Sequence, residues 1–80
     1  MDYEINLKKL AEKIETSGMK RKAIAARMNL TAAGLANKLS GKRDFSASEI
    51  NKIADVLNLT SDDILSIFFA DIVDKTYTEN

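Results

Sequence analysis

RKAIAARMNLTAAGLANKLSGKR, residues 21–43, decides how this chain is read. Up to the start of MNLT, Ile24, Ala25 and Met28 recur at one helical face, and after it Leu35 and Leu39 do the same. Only about three residues separate the two segments, so the helices they predict must cross sharply and cannot run side by side. Asn29 stands where that turn most needs a positive φ, and after Gly it is the residue that tolerates the left-handed region best. Ala25 is small where the helices approach, and Ile24, Leu30 and Leu35 form the apolar wedge between them. The stretch is a helix-turn-helix.

Outward from it, one device marks every helix start. An apolar pair five residues apart is the spacing of a hydrophobic staple, in which the residue before the cap packs on the fourth helical residue. Phe45 and Ile50 bracket Ser46, with Glu49 completing a capping box; Leu59, Thr60, Asp63 and Ile64 repeat it. Leu30, Thr31 and Leu35 give a third copy, in which Gly34 replaces the acid. Ile5, Asn6 and Leu10 mark a fourth start, and Met19 with Ile24 a fifth, where Lys20 is a poor cap. The patterns predict helices over about 6–16, 20–28, 31–40, 46–57 and 61–69, the last extending toward Val73.

The inward faces predicted are Leu7, Leu10, Ala11 and Ile14; Ile24, Ala25 and Met28; Leu35 and Leu39; Ile50, Ile53, Ala54 and Leu57; Ile64, Leu65 and Phe68. The chain lacks Pro, and no segment alternates long enough for a strand. The fold class is all-α, one domain over 1–80 with its helix-turn-helix at about 20–40, and the tail over 74–80 is expected to fray.

Composition narrows the function. With no Cys and no His in 80 residues, thiolate metal sites, disulfides and the commonest general base are absent, and neither metal nor cofactor is implied. Enzymatic acid–base work would rest on Asp62 and Asp63, which the helix cap already explains. No apolar run reaches the roughly 20 residues of a membrane span, and MDYEIN lacks a signal-peptide pattern. A complete, cytoplasmic protein is expected. Net charge is zero, yet residues 20–43 carry seven cations and no acid, while residues 44–80 carry eight acids against Lys52 and Lys75. A one-sign run of that length, lying over the helical hairpin, points to a polyanion-binding surface. A tight helical hairpin and a solvated charged face are the structural alternative.

Together, RKAIAARMNLTAAGLANKLSGKR, the adjoining FSASEI and the later LTSDDIL resemble the Cro and repressor-type (Xre-like) helix-turn-helix family of phages and mobile elements, over about residues 7–69. KLSGKRDFSASEI is similar to the KLNGK segment of Gram-positive phage Cro-like regulators, and IFF ends the last helix as in that group. The chain departs from the pattern at Arg21, where Gln is common, at Asn29, where Gly is common, and at Ala32, Ala33 and Gly34, where the family has larger polar readers.

The resemblance implies a compact five-helix, lambda-repressor-like DNA-binding domain whose third helix lies in the major groove of a double-stranded operator. Base readout then falls to Ala32, Ala33 and Asn37, the alanine methyls meeting thymine methyls and the Asn37 amide suiting an adenine edge. Arg21 and Lys22 would reach a guanine or a phosphate, and Thr31 would cap its helix or give its hydroxyl to a phosphate. Lys38, Lys42 and Arg43 would serve the backbone. For the small residues the plainer account is that Ala is the best helix former and Gly34 a tolerated cost.

The expected function is sequence-specific transcriptional regulation by a Cro-like or repressor protein. The alternative is a protein-interaction module on the same scaffold, an anti-repressor or antitoxin-like partner of another regulatory protein. In ILSIFFADIV the apolar residues cover more than one stripe, so Ile67, Phe69 and Ile72 are expected at a homodimer interface. The competing arrangement folds them over the N-terminal helix of the same chain, against Tyr3 and Ile5.

Overall fold

The computed structural model describes residues 5–70. Five helices succeed one another: α1 (Leu7–Ser17), α2 (Arg21–Arg27), α3 (Ala32–Leu39), α4 (Ala47–Val56) and α5 (Ser61–Phe68), with no strand among the described residues. Each start lies within about a residue of its expected place because side chains satisfy the free N–H groups there. Asn6 accepts from Lys9 N–H, Thr31 from Gly34, Ser46 from Glu49 and Thr60 from Asp63, and Lys20 makes no side-chain cap. In α4 and α5 the carboxylates of Glu49 and Asp63 return the bond to the N–H groups of Ser46 and Thr60, closing both capping boxes.

Leu10, Ile14, Ile24, Ala25, Met28, Leu35, Phe45, Ile50, Ile53, Ile67 and Phe68 form the core. The staple residues Ile5, Met19, Leu30 and Leu59 pack partly buried against it, and Phe45 is buried in it. No polar or charged residue is buried among those described, so apolar contact and the helix caps hold the fold together.

Two expectations for α5 need correcting. Leu65, placed on the inward face, is 45% exposed, whereas Ile67, placed on a dimer face, is wholly buried. The roll of α5 is set from both ends of the chain. The Asn6 N–H donates to the Ile67 carbonyl at 2.7 Å, and the Phe68 ring meets Phe45 edge-on at 5.6 Å between centroids. That places Ile64, Ile67 and Phe68 at i, i+3 and i+4 toward the core, and turns Leu65 out. The competing arrangement therefore holds for Ile67, with partly buried Ile5 beside the same core. The helix ends at Phe69, whose φ of −131° leaves the helical region. Ile72, the extension to Val73, the tail over 74–80 and Tyr3 lie outside the described residues.

Candidate nucleic-acid interface

α2 and α3 pack directly on each other, and their connection is built as the sequence requires. Asn29 adopts φ 62°, which lets Leu30 N–H turn back to the Ala25 carbonyl at 2.8 Å and Asn29 N–H to Ala26 at 3.1 Å. The last carbonyls of α2 are thereby satisfied within the turn. Ala25, at 1% exposure, lets the helices approach, and Ile24, Met28 and Leu35 are buried around it. The hairpin is thus a rigid unit, fixed to the core by its inner face.

Its outer face carries the expected residues. Ala32, Ala33 and Ala36 are exposed, and Gly34 and Asn37 are half-buried. Thr31 caps its helix, its Oγ1 accepting Gly34 N–H at 2.9 Å, a bond that leaves the hydroxyl hydrogen able to donate. The N–H groups of Ala32 and Ala33, in the first turn, receive no such cap and are the ones an anion could reach. A shallow groove runs between this turn and the start of α4, lined by Leu30, Thr31, Ala33, Gly34, Asn37, Lys38, Arg43 and Glu49.

Arg21 and Lys22 are exposed on α2, and Lys42 and Arg43 on the loop after α3; none of the four, nor Lys20 or Arg27, pairs with an acid among the described residues. Gly41 turns that loop with φ 87°, and the N–H groups of Lys42 and Arg43 both donate to the Asn37 carbonyl, at 2.9 and 3.3 Å. The cations therefore stand at a set distance from α3.

Lys38 departs from the role expected of it. Its ammonium lies 3.0 Å from Glu49 Oε1, donates to the Asp44 carbonyl at 2.9 Å and sits 6.0 Å from the Phe45 ring centre. With its side chain only 11% exposed, it is engaged within the fold where a phosphate contact was expected. Glu49 is held below its ordinary value by the Ser46 N–H, against an opposing effect of burial, and Lys38 acts in the same sense as Ser46. The matching acid of α5, Asp63, is lowered by the Thr60 N–H and by Lys13, whose ammonium is 3.1 Å away. Neither lysine's partner was legible from charge counting.

Two packed helices joined by a tight turn, with cations on one side that pair with no acid among the described residues, are the arrangement of a DNA-binding hairpin, and the family comparison agrees. The profile described as Cro/C1-type HTH DNA-binding domain matches residues 2–70. The chain belongs to this family. Comparison with curated proteins and with solved structures gives no match. As a Cro/C1-type domain it is a DNA-binding module, and among its described residues no group of His, Cys, Asp or Glu is placed to hold a metal ion. No helix among them is long and apolar enough to cross a membrane.

Proposed function

We propose that this Cro/C1-type domain is a cytoplasmic, sequence-specific transcriptional regulator that represses by occluding a promoter, of the kind carried by phages and mobile elements. The observation that carries this reading is the set of exposed cations, Arg21, Lys22, Lys42 and Arg43, which pair with no acid among the described residues and flank a helix whose exposed first turn holds only small side chains. α3 enters the major groove: Ala32 and Ala33 allow its N-terminal end to approach closely, Asn37 reads an adenine edge, and the flanking cations hold the register on phosphate.

A single short helix with one amide reader has little specificity, so two copies on a pseudo-palindromic site, reading major grooves about 34 Å apart, complete the proposal. Exposed Leu65, with half-buried Phe69 beyond it, provides the surface for the second copy, and Ile67 is no part of it.

Selection from a pool of random duplex DNA tests the reading. An enriched motif whose two halves are related by a dyad supports it, with affinity falling steeply in salt because each neutralised phosphate contributes about 0.9 to the slope of log K against log salt. No enriched motif and no salt dependence would instead favour the protein-interaction module. Sedimentation of wild type and Leu65→Glu on the selected duplex reports the dimer: two copies bound by wild type and one by the variant are expected.

A further inference from the structure

The loop between α3 and α4 hangs from two consecutive residues of α3. At its start, Lys42 and Arg43 N–H groups bond to the Asn37 carbonyl; at its end, the Asp44 carbonyl accepts from Lys38. Lys38 is in turn held by Glu49 at 3.0 Å, and the same Glu49 Oε1 accepts Ser46 N–H at 2.8 Å, closing the α4 cap. One carboxylate oxygen thus joins the start of α4 to the last turn of α3, with the buried Phe45 ring beneath the lysine. The segment bearing Lys42 and Arg43 is thus tied to α3 by backbone bonds on one side and by this junction on the other.

We propose that Lys38 is a positioning residue for DNA binding: by bridging Asp44 and Glu49 it fixes the loop that presents Lys42 and Arg43 to phosphate, and does not itself contact DNA. The proposal rests on the DNA-binding reading above and adds to it a division within the cation run. Lys42 and Arg43 are exposed and pair with no acid among the described residues, whereas Lys38 has two of its three N–H donors engaged and most of its side chain withdrawn from water. Moving that ammonium to a phosphate would break both contacts and leave Glu49 facing the same groove uncompensated.

Glu49→Gln separates the two roles by the sign of its effect. The variant keeps every cation, and glutamine still completes a capping box with Ser46. If Lys38 were a phosphate contact, releasing it and deleting a nearby acid would tighten binding. If Lys38 positions the loop, binding weakens in spite of the added positive charge, by roughly threefold or more, a change of at least ~0.7 kcal/mol. Lys38→Met should weaken binding with an unchanged salt slope, whereas Lys42→Met should lower the slope by about 0.9. The duplex used is the one selected from the random pool or, where none emerges, a mixed-sequence duplex about two helical turns long.

A second measurement needs no DNA. Backbone order parameters of residues 41–44 in the free protein should drop from about 0.85 toward 0.6 in Lys38→Met and in Glu49→Gln, and stay high in Lys42→Met. Unchanged loop order together with tighter binding by Glu49→Gln overturns the proposal. Should wild type show no salt-dependent affinity for any duplex, it is the DNA-binding reading that falls, and the order parameters still decide whether Lys38 holds the loop.

Discussion

Asn29-Leu30-Thr31 joins α2 to α3, and Asn58-Leu59-Thr60 joins α4 to α5, with the same three residues in the same geometry. The asparagines have φ 62° and 54°, each leucine N–H reaches the carbonyl five residues back at 2.8 Å, and each threonine caps the third residue of the next helix. The two turns diverge only in the residues beyond the threonine. After Thr31 come Ala32, Ala33 and Gly34; after Thr60 come Ser61, Asp62 and Asp63. In α5 the carboxylate of Asp63 occupies the helix start and is itself tied to Lys13, so a phosphate would meet negative charge there. The start of α3 offers a cap and no acid. A sharp helical turn is thus a general solution to chain reversal in this protein, and what distinguishes the hairpin proposed to meet DNA is the acid missing from its second helix.

The strongest way to break this contrast is to make α3 begin as α5 does. Gly34→Glu completes a capping box at Thr31: Gly34 does not need positive φ, an added Cβ meets Thr31 Oγ1 at 3.1 Å, so that the threonine must give by a few tenths of an ångström, and α4 carries a glutamate at the corresponding place behind Ser46. The fold should gain roughly 0.5–1 kcal/mol from helix propensity. DNA affinity should fall by roughly 2–4 kcal/mol, because a like charge against phosphate costs several kcal/mol. A melting curve and a binding isotherm on one preparation give both numbers. Unaltered affinity would remove the first turn of α3 from the interface.

Asn37→Ala comes next in size. It should cost about 1–3 kcal/mol on the preferred sequence and relax preference at one position, with little loss on random duplex. An equal loss on both would make Asn37 a backbone contact.

The third test addresses what the two turns share. Asn29→Ala and Asn58→Ala each leave a β-carbon in a left-handed residue and remove the short polar side chain that offsets its strain, at a cost of about 1 kcal/mol, or roughly 4–8 °C in melting temperature for a chain of this size. Equal losses by calorimetry would establish that the turns are energetically the same object; a twofold difference would show that the sequence identity conceals different strain.

The smallest effect is the acid dependence of the two boxed helices. Glu49 and Asp63 have folded pKa values below their ordinary ones of 4.5 and 3.8. Each therefore contributes stability that is complete above the ordinary value and is lost as pH falls through the lowered one. Denaturant titrations at a series of pH values should show Glu49→Gln and Asp63→Asn flattening the acid limb, while Gly34→Glu steepens it. A limb unchanged by all three would mean that the boxes contribute nothing beyond their neutral hydrogen bonds.

Much of this was legible from residue order, for a local reason. Caps, staples and left-handed turns involve residues within about five positions of each other, so Thr31, Ser46, Thr60 and Asn29 announce their structures directly. Asn58 carries the same signal as Asn29, and the repeated Asn-Leu-Thr would have located the second turn. The roll of α5 was not legible, because Ile64, Leu65, Ile67, Phe68 and Phe69 are all apolar and their periodicity admits more than one inward face; the choice is made by Asn6 and Phe45, distant in sequence. The contacts of Lys38 were hidden for a related reason. A cation counted in an acid-free run has no visible partner until the fold brings Glu49 beside it.

The bond from Asn6 N–H to the Ile67 carbonyl also governs how the chain comes together. It closes nearly all the described residues into a single loop, and the entropy of closing so long a loop must be met before this contact forms. The helical turns and caps, being local, form ahead of it at little such cost. Because the Asn6 amide is held only by a carbonyl at the far end of the chain, its hydrogen should exchange with solvent when that loop opens, with a protection close to that of global unfolding even though it lies outside any helix. One amide at the edge of the structure thus reports the cooperativity of the whole.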